Sequence, residues 1–369
     1  MLNLFDKIRQ RGERLGREFL VRLVGKIFGV KKRPVKLGPR PRILIVRLDE
    51  RVGNLVLTSP ILSSLRLRFA NAQIDLLAHY RGAEFMAKHA AINNYFIFDK
   101  RRWFARHGPI FTPFFLRSKR YDVAIDAANP SDPSATQAIF VRLCGAKHTV
   151  GYAEGKFARL YSAPVIRLAS ASNKLIKNNN DSISSVHEID MRLALLQALP
   201  GAAIERNTSL ANLGSDNIKR KRPYGIMNVG ARLGEKRLSK EAYINIAKKI
   251  LSYGIDCIVV YGPSEFDLAN EVATSAIGAE LAPPTTLVEL AQLMQNARIV
   301  ITCDTGPMHI AVALGVATCG LFLVTEPSRY GYNHAPHIAI DTRIDSMKNW
   351  LAQIDTWLHQ RLSKTNRLL

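Results

Sequence analysis

The segment ITCDTGPMHIAVALG, residues 301–315, is an apolar run that breaks at Asp304-Thr305-Gly306-Pro307 and resumes as a helical pattern with His309 in its first turn. Pro307 suits the first position of a helix, Thr305 or Asp304 suits its cap, and Gly306 lets the backbone approach a ligand closely. Such a start aims unpaired N–H groups and the positive end of a helix dipole at whatever lies before it, and a diphosphate is a natural guest. A capped helix with His309 merely packed on the surface is the other reading of this segment alone.

Two more segments end a strand in the same way. NVGARLGEKRLSKEAY, residues 228–243, puts Arg232, Lys236 and Arg237 on a glycine-containing loop before a helix, and YGPSEFDLA, residues 261–269, puts Glu265 on another. Cations suit phosphates, and a carboxylate suits ribose hydroxyls. Singly, Lys236 and Glu265 read as solvated surface residues. Together the three strand ends describe a nucleotide diphosphate site.

Those loops need a scaffold. The 369 residues, 47% of them hydrophobic, suffice for two packed domains. From Arg42 onward, short β-rich runs alternate with helical stretches. RILIV (42–46), QIDLLA (73–78), YFIF (95–98), YDVAID (121–126) and HTVGY (148–152) read as strands, with helices near 60–70 and 134–144. A polar stretch at 167–185 reads as a loop and 187–198 as a helix. The alternation then resumes with strands at 224–229, 255–261, 298–303 and 318–324, helices at 239–253, 265–276, 286–296 and 307–314, and a last helix at 346–361. The fold class is α/β, with two parallel sheets in series and a ligand cleft expected between their carboxyl ends. Expected boundaries are 1–40 for a basic extension, 41–200 and 201–345 for the two Rossmann-like domains, and 346–369 for the terminal helix.

Charge points to the partners. Lys and Arg number 52 against 30 acids, a formal net charge of +22, which calls for a polyanionic neighbour. Residues 1–40 hold 12 basic and 3 acidic side chains, with Leu15, Phe19, Leu23 and Ile27 at four-residue steps. That pattern suits an amphipathic helix on an anionic bilayer or, equally, a helix packed on the core with a solvated basic face. KRRWFARHGPIFTPFFLRSKR, residues 100–120, mixes Arg101, Arg102, Trp103, Arg117, Lys119 and Arg120 with phenylalanines and no regular period. It reads as a loop touching a membrane or an acceptor's phosphates, or as a helix with a basic face. No RNA-binding signature accompanies it, so nucleic acid is not an expected partner. The four cysteines lack CxxC spacing, and no metal cluster is expected. Without a spanning apolar run or a signal peptide's core, the expected location is the cytoplasm, at the inner face of the membrane.

RILIVRLDERVGNLVLTSPILSSLR (42–66), taken with NVGARLGEKR, YGPSE and CDTGPMHIAVALGVATCGLF, resembles the glycosyltransferase family that contains the ADP-heptose:lipopolysaccharide heptosyltransferases. The resemblance runs from about Arg42 to Tyr330. It implies a GT-B architecture and inverting sugar transfer, commonly of heptose from ADP-heptose onto lipopolysaccharide, with no cofactor or obligatory metal. By position, Lys236 would neutralise the donor phosphates, Glu265 would hold the ribose, and Asp304 to Pro307 with His309 would wrap diphosphate and sugar. The family's usual Gly-Asp after the first strand is here Gly53-Asn54, and an amide cannot take a proton at neutral pH. The nearest substitutes for the expected base are Asp49 and Glu50, followed by Asp126 or Asp132. Asp49 could equally be an ion-pair partner of Arg47 or Arg51. A chain that kept the fold, binds nucleotide sugar or glycolipid and does not catalyse is the alternative; a dehydrogenase lacks its GxGxxG.

Overall fold

The computed structural model describes residues 30–363 except 103–107, 109, 130–132, 154–156, 167–185, 202, 212 and 214–219, together with positions 23 and 26. The basic helix expected within 1–40, Trp103 and Asp132 therefore lie outside, or almost wholly outside, the described residues. The chain forms two compact units, Met1–Asn207 and Thr208–Leu369.

In the first unit six parallel strands lie in the order β3-β2-β1-β4-β5-β6. They are β1 (Arg42–Arg47), β2 (Gln73–His79), β3 (Asn94–Phe98), β4 (Val123–Asp126), β5 (His148–Tyr152) and β6 (Ala163–Val165). The central strand pairs Ile43 with Ile74 on one side and with Val123 on the other. Ile43, Leu44, Ile45 and Val46 are all fully buried, as a strand covered on both faces requires. The helices are α1 (Val52–Val56), α2 (Ser59–Arg68), α3 (Ala83–Met86), α4 (Phe111–Ser118), α5 (Ala135–Leu143) and α6 (Glu188–Ala194). Ser134 caps α5 through the Gln137 N–H, and His187 caps α6 through the Ile189 N–H.

The second unit repeats the plan with the order β12-β11-β10-β7-β8-β9. Its strands are β7 (Tyr224–Asn228), β8 (Asp256–Val260), β9 (Ala279–Leu281), β10 (Ile299–Cys303), β11 (Ala317–Phe322) and β12 (Ile338–Asp341). Its helices are α7 (Lys240–Ser252), α8 (Phe266–Ser275), α9 (Leu287–Gln295), α10 (Gly306–Ala313), α11 (Pro327–Tyr330) and α12 (Met347–Leu362). Thr286 and Glu289 form a reciprocal capping box on α9. The terminal helix α12 inserts Trp350, Ile354, Trp357 and Leu358 into the same core as Ile246, Val259 and Leu321.

Part of the 100–120 segment departs from the expected loop. Residues 111–118 form α4, whose Thr112, Pro113 and Leu116 face inward while Ile110, Phe111, Phe114 and Arg117 face out. Its solvent side carries Phe111 and Phe114 as well as Arg117 and Ser118, so two phenylalanines interrupt the polar face that would mark a surface helix. The edge strands β6, β9 and β12, with three, three and four residues, are too short to show a period of two.

Trp357 is 3% exposed, and its indole Nε1 donates to the Pro336 carbonyl at 3.0 Å. Trp357→Ala should cost about 3–5 kcal/mol, read as a lowered urea midpoint of the C-terminal unit.

Candidate active site

In the second unit the strand order reverses between β7 and β10, which makes the carboxyl ends of β10, β7 and β8 neighbours at the topological switch point. All three predicted strand ends meet there. Beyond β10, Asp304 stays tied to the sheet through its N–H, which donates to the Leu321 carbonyl at 3.0 Å. Thr305 then caps α10 with extended backbone, and Pro307 occupies its first turn. The first N–H groups of a helix lack intrahelical acceptors, so this end is an anion-attracting pole.

Lys236 reaches across from the β7 loop. Its Nζ donates to Asp304 Oδ2 at 2.7 Å and to the Asp304 carbonyl at 3.2 Å. Those bonds account for two of an ammonium's three donors. Thr325 Oγ1 donates to the same Oδ2. His309, 5% exposed, sets Nε2 3.9 Å from Asp304 Oδ1, while its Nδ1 lies 2.9 Å from Tyr332 Oη. A carboxylate, an ammonium and an imidazole thus converge on the start of one helix.

Glu265 is more deeply held than a surface carboxylate. At 4% exposure, its Oε1 accepts from Arg237 Nη2 at 2.5 Å and from Ser264 Oγ. The same guanidinium also donates to the Ala231 carbonyl, at 2.7 Å from Nη2 and 3.0 Å from Nε. Glycine is required at 230, where a Cβ would stand 2.8 Å from the Gly262 nitrogen, while a Cβ on Gly262 would stand 2.5 Å from Glu265 Oε2 and displace that carboxylate. Asn228 ties β7 to β10 by donating to Thr302 Oγ1 at 2.9 Å. Arg232 is exposed on the same loop as Lys236.

The first unit reverses its strand order between β1 and β4, and a second polar group lies there. Asp49 takes Arg47 Nη2 at 3.1 Å, Arg51 Nε at 3.0 Å on each oxygen, the Arg51 N–H at 2.9 Å, and Asn54 Nδ2 at 2.6 Å. Burial works to raise this carboxyl's pKa, but the bonds and charges of Arg51 and Arg47 outweigh it and hold it below the ordinary range. Asn54 Oδ1 in turn accepts from Arg192 Nη2 at 3.3 Å, and Arg192 pairs with Glu188 at 3.0 Å, both fully buried. Burial, and next the charge of Arg192, push the Arg47 guanidinium down to about 10, so it stays charged at neutral pH. Gly53 lies buried in α1, next to Asn54 in the chain.

The other carboxylates differ. Glu50 has a side chain 38% exposed, with Lys100 bonded to it and Arg81 at 3.9 Å. The Lys100 hydrogen bond lowers its pKa despite some desolvation. Asp126, at the end of β4, accepts from Tyr161, from the Ala128 N–H at 2.9 Å and from Gln137 at 2.7 Å; burial raises its pKa all the same. It acts as a staple between β4, β1 and α5, since Gln137 also donates to the Val46 carbonyl.

The expected acceptor-contact cations are not brought together. Arg101, bonded to Tyr80, and Arg102, beside Asp99, follow the carboxyl end of β3. Arg117 in the last turn of α4, with Lys119 and Arg120 after it, leads toward the amino edge of the sheet, where the Asp122 N–H donates to the Arg42 carbonyl at 2.8 Å. Strand β1 lies between that edge and the Asp49 loop, about 20 Å for its length. Among the described residues no cluster of His, Cys, Asp or Glu is placed to hold a metal, and no helix is long and apolar enough to cross a membrane.

Residues 115–351 match the model of glycosyltransferase family 9 (heptosyltransferase). The chain is 23% identical over 292 residues to lipopolysaccharide heptosyltransferase 3 of Escherichia coli, covering 74% of this chain and 81% of that one. Among solved structures, the family 9 glycosyl transferase of Veillonella parvula DSM 2008 superposes with a TM-score of 0.68 at 19% identity, covering 88% of this chain and 97% of the other. E. coli heptosyltransferase WaaC with ADP gives the same score and identity over 86% and 99%. The α/β, GT-B fold class follows. With more than half its length matched to the family model, the chain belongs to glycosyltransferase family 9 and is a glycosyltransferase.

Proposed function

We propose that this enzyme moves heptose from ADP-heptose, with inversion, onto a lipopolysaccharide core or related anionic glycolipid. The observation that carries the donor half is the Lys236–Asp304 pair at the N-terminus of α10, with His309 beside it. The names of its relatives support the sugar and the acceptor class, and the ADP bound to WaaC supports the nucleotide. Acceptor oxygen bonds to the anomeric carbon as the bond to the diphosphate breaks, and the acceptor's proton passes to a carboxylate. The developing diphosphate charge falls on the Lys236 ammonium and the α10 dipole, groups fixed before the reaction begins.

For the base we favour Glu50. A base needs a lone pair that an acceptor hydroxyl can reach. Both oxygens of Asp49 are already engaged by Arg51, and Arg47 and Asn54 add to one of them, whereas Glu50 is held by surface cations that an acceptor can displace. Asp49 then fixes the loop. Asn54 is the observation that favours a non-catalytic binder instead, and the relatives do not favour that reading.

Calorimetry should find ADP bound in preference to UDP, GDP and CMP, and both Lys236→Ala and Asp304→Ala should weaken binding about tenfold or more, from the loss of a charged hydrogen bond. Equal binding of all four nucleotides would sink the donor assignment. Glu50→Gln should reduce kcat roughly a hundredfold or more without moving the melting temperature. Its lowered pKa in the free enzyme means that the ionised base persists on acidification and is lost only below the usual carboxylate range, so the acid limb of kcat/KM should lie there. If Asp49→Asn instead abolishes turnover at unchanged melting temperature while Glu50→Gln is active, the base is Asp49. Asn54→Asp sets a second carboxylate beside Asp49 and should not raise activity; a large gain would identify a degenerate site.

A further inference from the structure

The outward face of α4 is unlike any other part of the described surface. Ile110, Phe111 and Phe114 are 38%, 47% and 71% exposed. No other two exposed large apolar side chains among the described residues lie within four positions of each other; Leu67, Ile277 and Ile344 each stand alone along the chain. The inward face of this helix is already committed. Leu116 is fully buried, and Phe115 meets Phe96 edge to face at 5.2 Å. Folding therefore sorts the phenylalanines, one to the core and two to solvent, and core packing leaves the outer pair unexplained.

Cations bracket this stripe. Arg101 and Arg102, 63% and 75% exposed, precede α4 in the chain and follow the carboxyl end of β3. Exposed Arg117 and Arg120 stand where it ends, with Lys119 Nζ 5.0 Å from the centre of the Phe115 ring. Residues 99–102 and 110–120 together carry six cations against one carboxylate, Asp99.

We propose that α4 is a membrane-docking helix that lies in the plane of an anionic lipid surface, with Phe111 and Phe114 in the acyl boundary and the arginines at its ends among the headgroups. An aromatic wedge flanked by cations is the chemistry of the bilayer interface, apolar below and negative above. A second copy of this chain fits poorly, because a self-complementary contact would set the same cations against one another. The inference stands apart from the donor assignment, since none of its residues lies in the second unit.

The test uses the full chain carrying Phe114→Trp, with wild type supplying the background of Trp103, Trp350 and Trp357. On vesicles rich in phosphatidylglycerol, emission beyond that background should shift to the blue and be quenched by acyl-brominated lipid; on pure phosphatidylcholine it should do neither. Phe111→Ser with Phe114→Ser should lower the partition coefficient about tenfold or more at an unchanged melting temperature. The added emission remaining unquenched while the chain co-sediments with vesicles overturns the proposal, since another segment then makes the contact. So does equal partitioning of the double variant, or a vesicle-free dimer that Phe114→Ser dissolves.

Discussion

The ion pair between Lys236 and Asp304 joins positions 68 apart in the chain and at the exits of two neighbouring strands. It forms because the strand order of the second sheet reverses between β7 and β10, which opens the two loops side by side instead of covering one with a crossover helix. Everything else at that edge is arranged around it. Thr325 and His309 approach the same carboxylate, and Asn228 fixes the distance between the strands that carry the pair. Asp304 has two oxygens and is 7% exposed, so the carboxylate is bonded in place while part of the ammonium's donor capacity remains for another anion.

The two units apply the same topology to opposite ends. At the switch point of the second sheet, cations and a helix N-terminus surround one carboxylate, an arrangement that favours phosphate. At that of the first, a carboxylate is surrounded by guanidinium groups and an amide, and the site is rigid. Arg47 and Arg192 are both almost or fully buried, and each is paired with one acid. Removing one partner of such a pair typically costs about 3–5 kcal/mol, so Asp49 is poorly free to move or to give up its bonds. Asn54 completes the arrangement as an amide, donating to Asp49 and accepting from Arg192. A carboxylate at 54 could accept from Arg192 but, when ionised, could not donate to Asp49.

Much of this was legible in the sequence because it is local. The strands β1, β7, β8 and β10 announce themselves as aliphatic runs, and the break at Asp304 to Pro307 is a contiguous strand-to-helix signal whose residues fold where their types suggest. What escaped is non-local. Arg192 meets Asn54 across 138 positions, and Tyr332 meets His309 across 23; neither has a spacing that a periodicity can register. Thr325 and Arg237 were invisible as partners for the same reason, although Arg237 was noticeable as a cation on its loop. Glu265 has the expected place but a different neighbourhood, since only the folded loop brings Arg237 onto its Oε1. The helix α4 was obscured because Phe111 and Phe114 interrupt the solvent side that Arg117 and Ser118 would otherwise mark as polar.

That last failure carries physical meaning. Binary patterning reveals a helix when apolar residues keep to one face, and it blurs when they occupy the solvent side as well. Phenylalanine is ordinarily buried, yet Phe114 is 71% exposed. The phenylalanine content of α4 therefore suits a buried helix, while its position in the fold is that of a surface one. A third phase resolves the contradiction: it accepts aromatic side chains on one side and pays no desolvation penalty for the cations at the helix ends, because their charges remain among hydrated headgroups. The same charge balance that makes the chain so basic then has a location on the fold as well as a total.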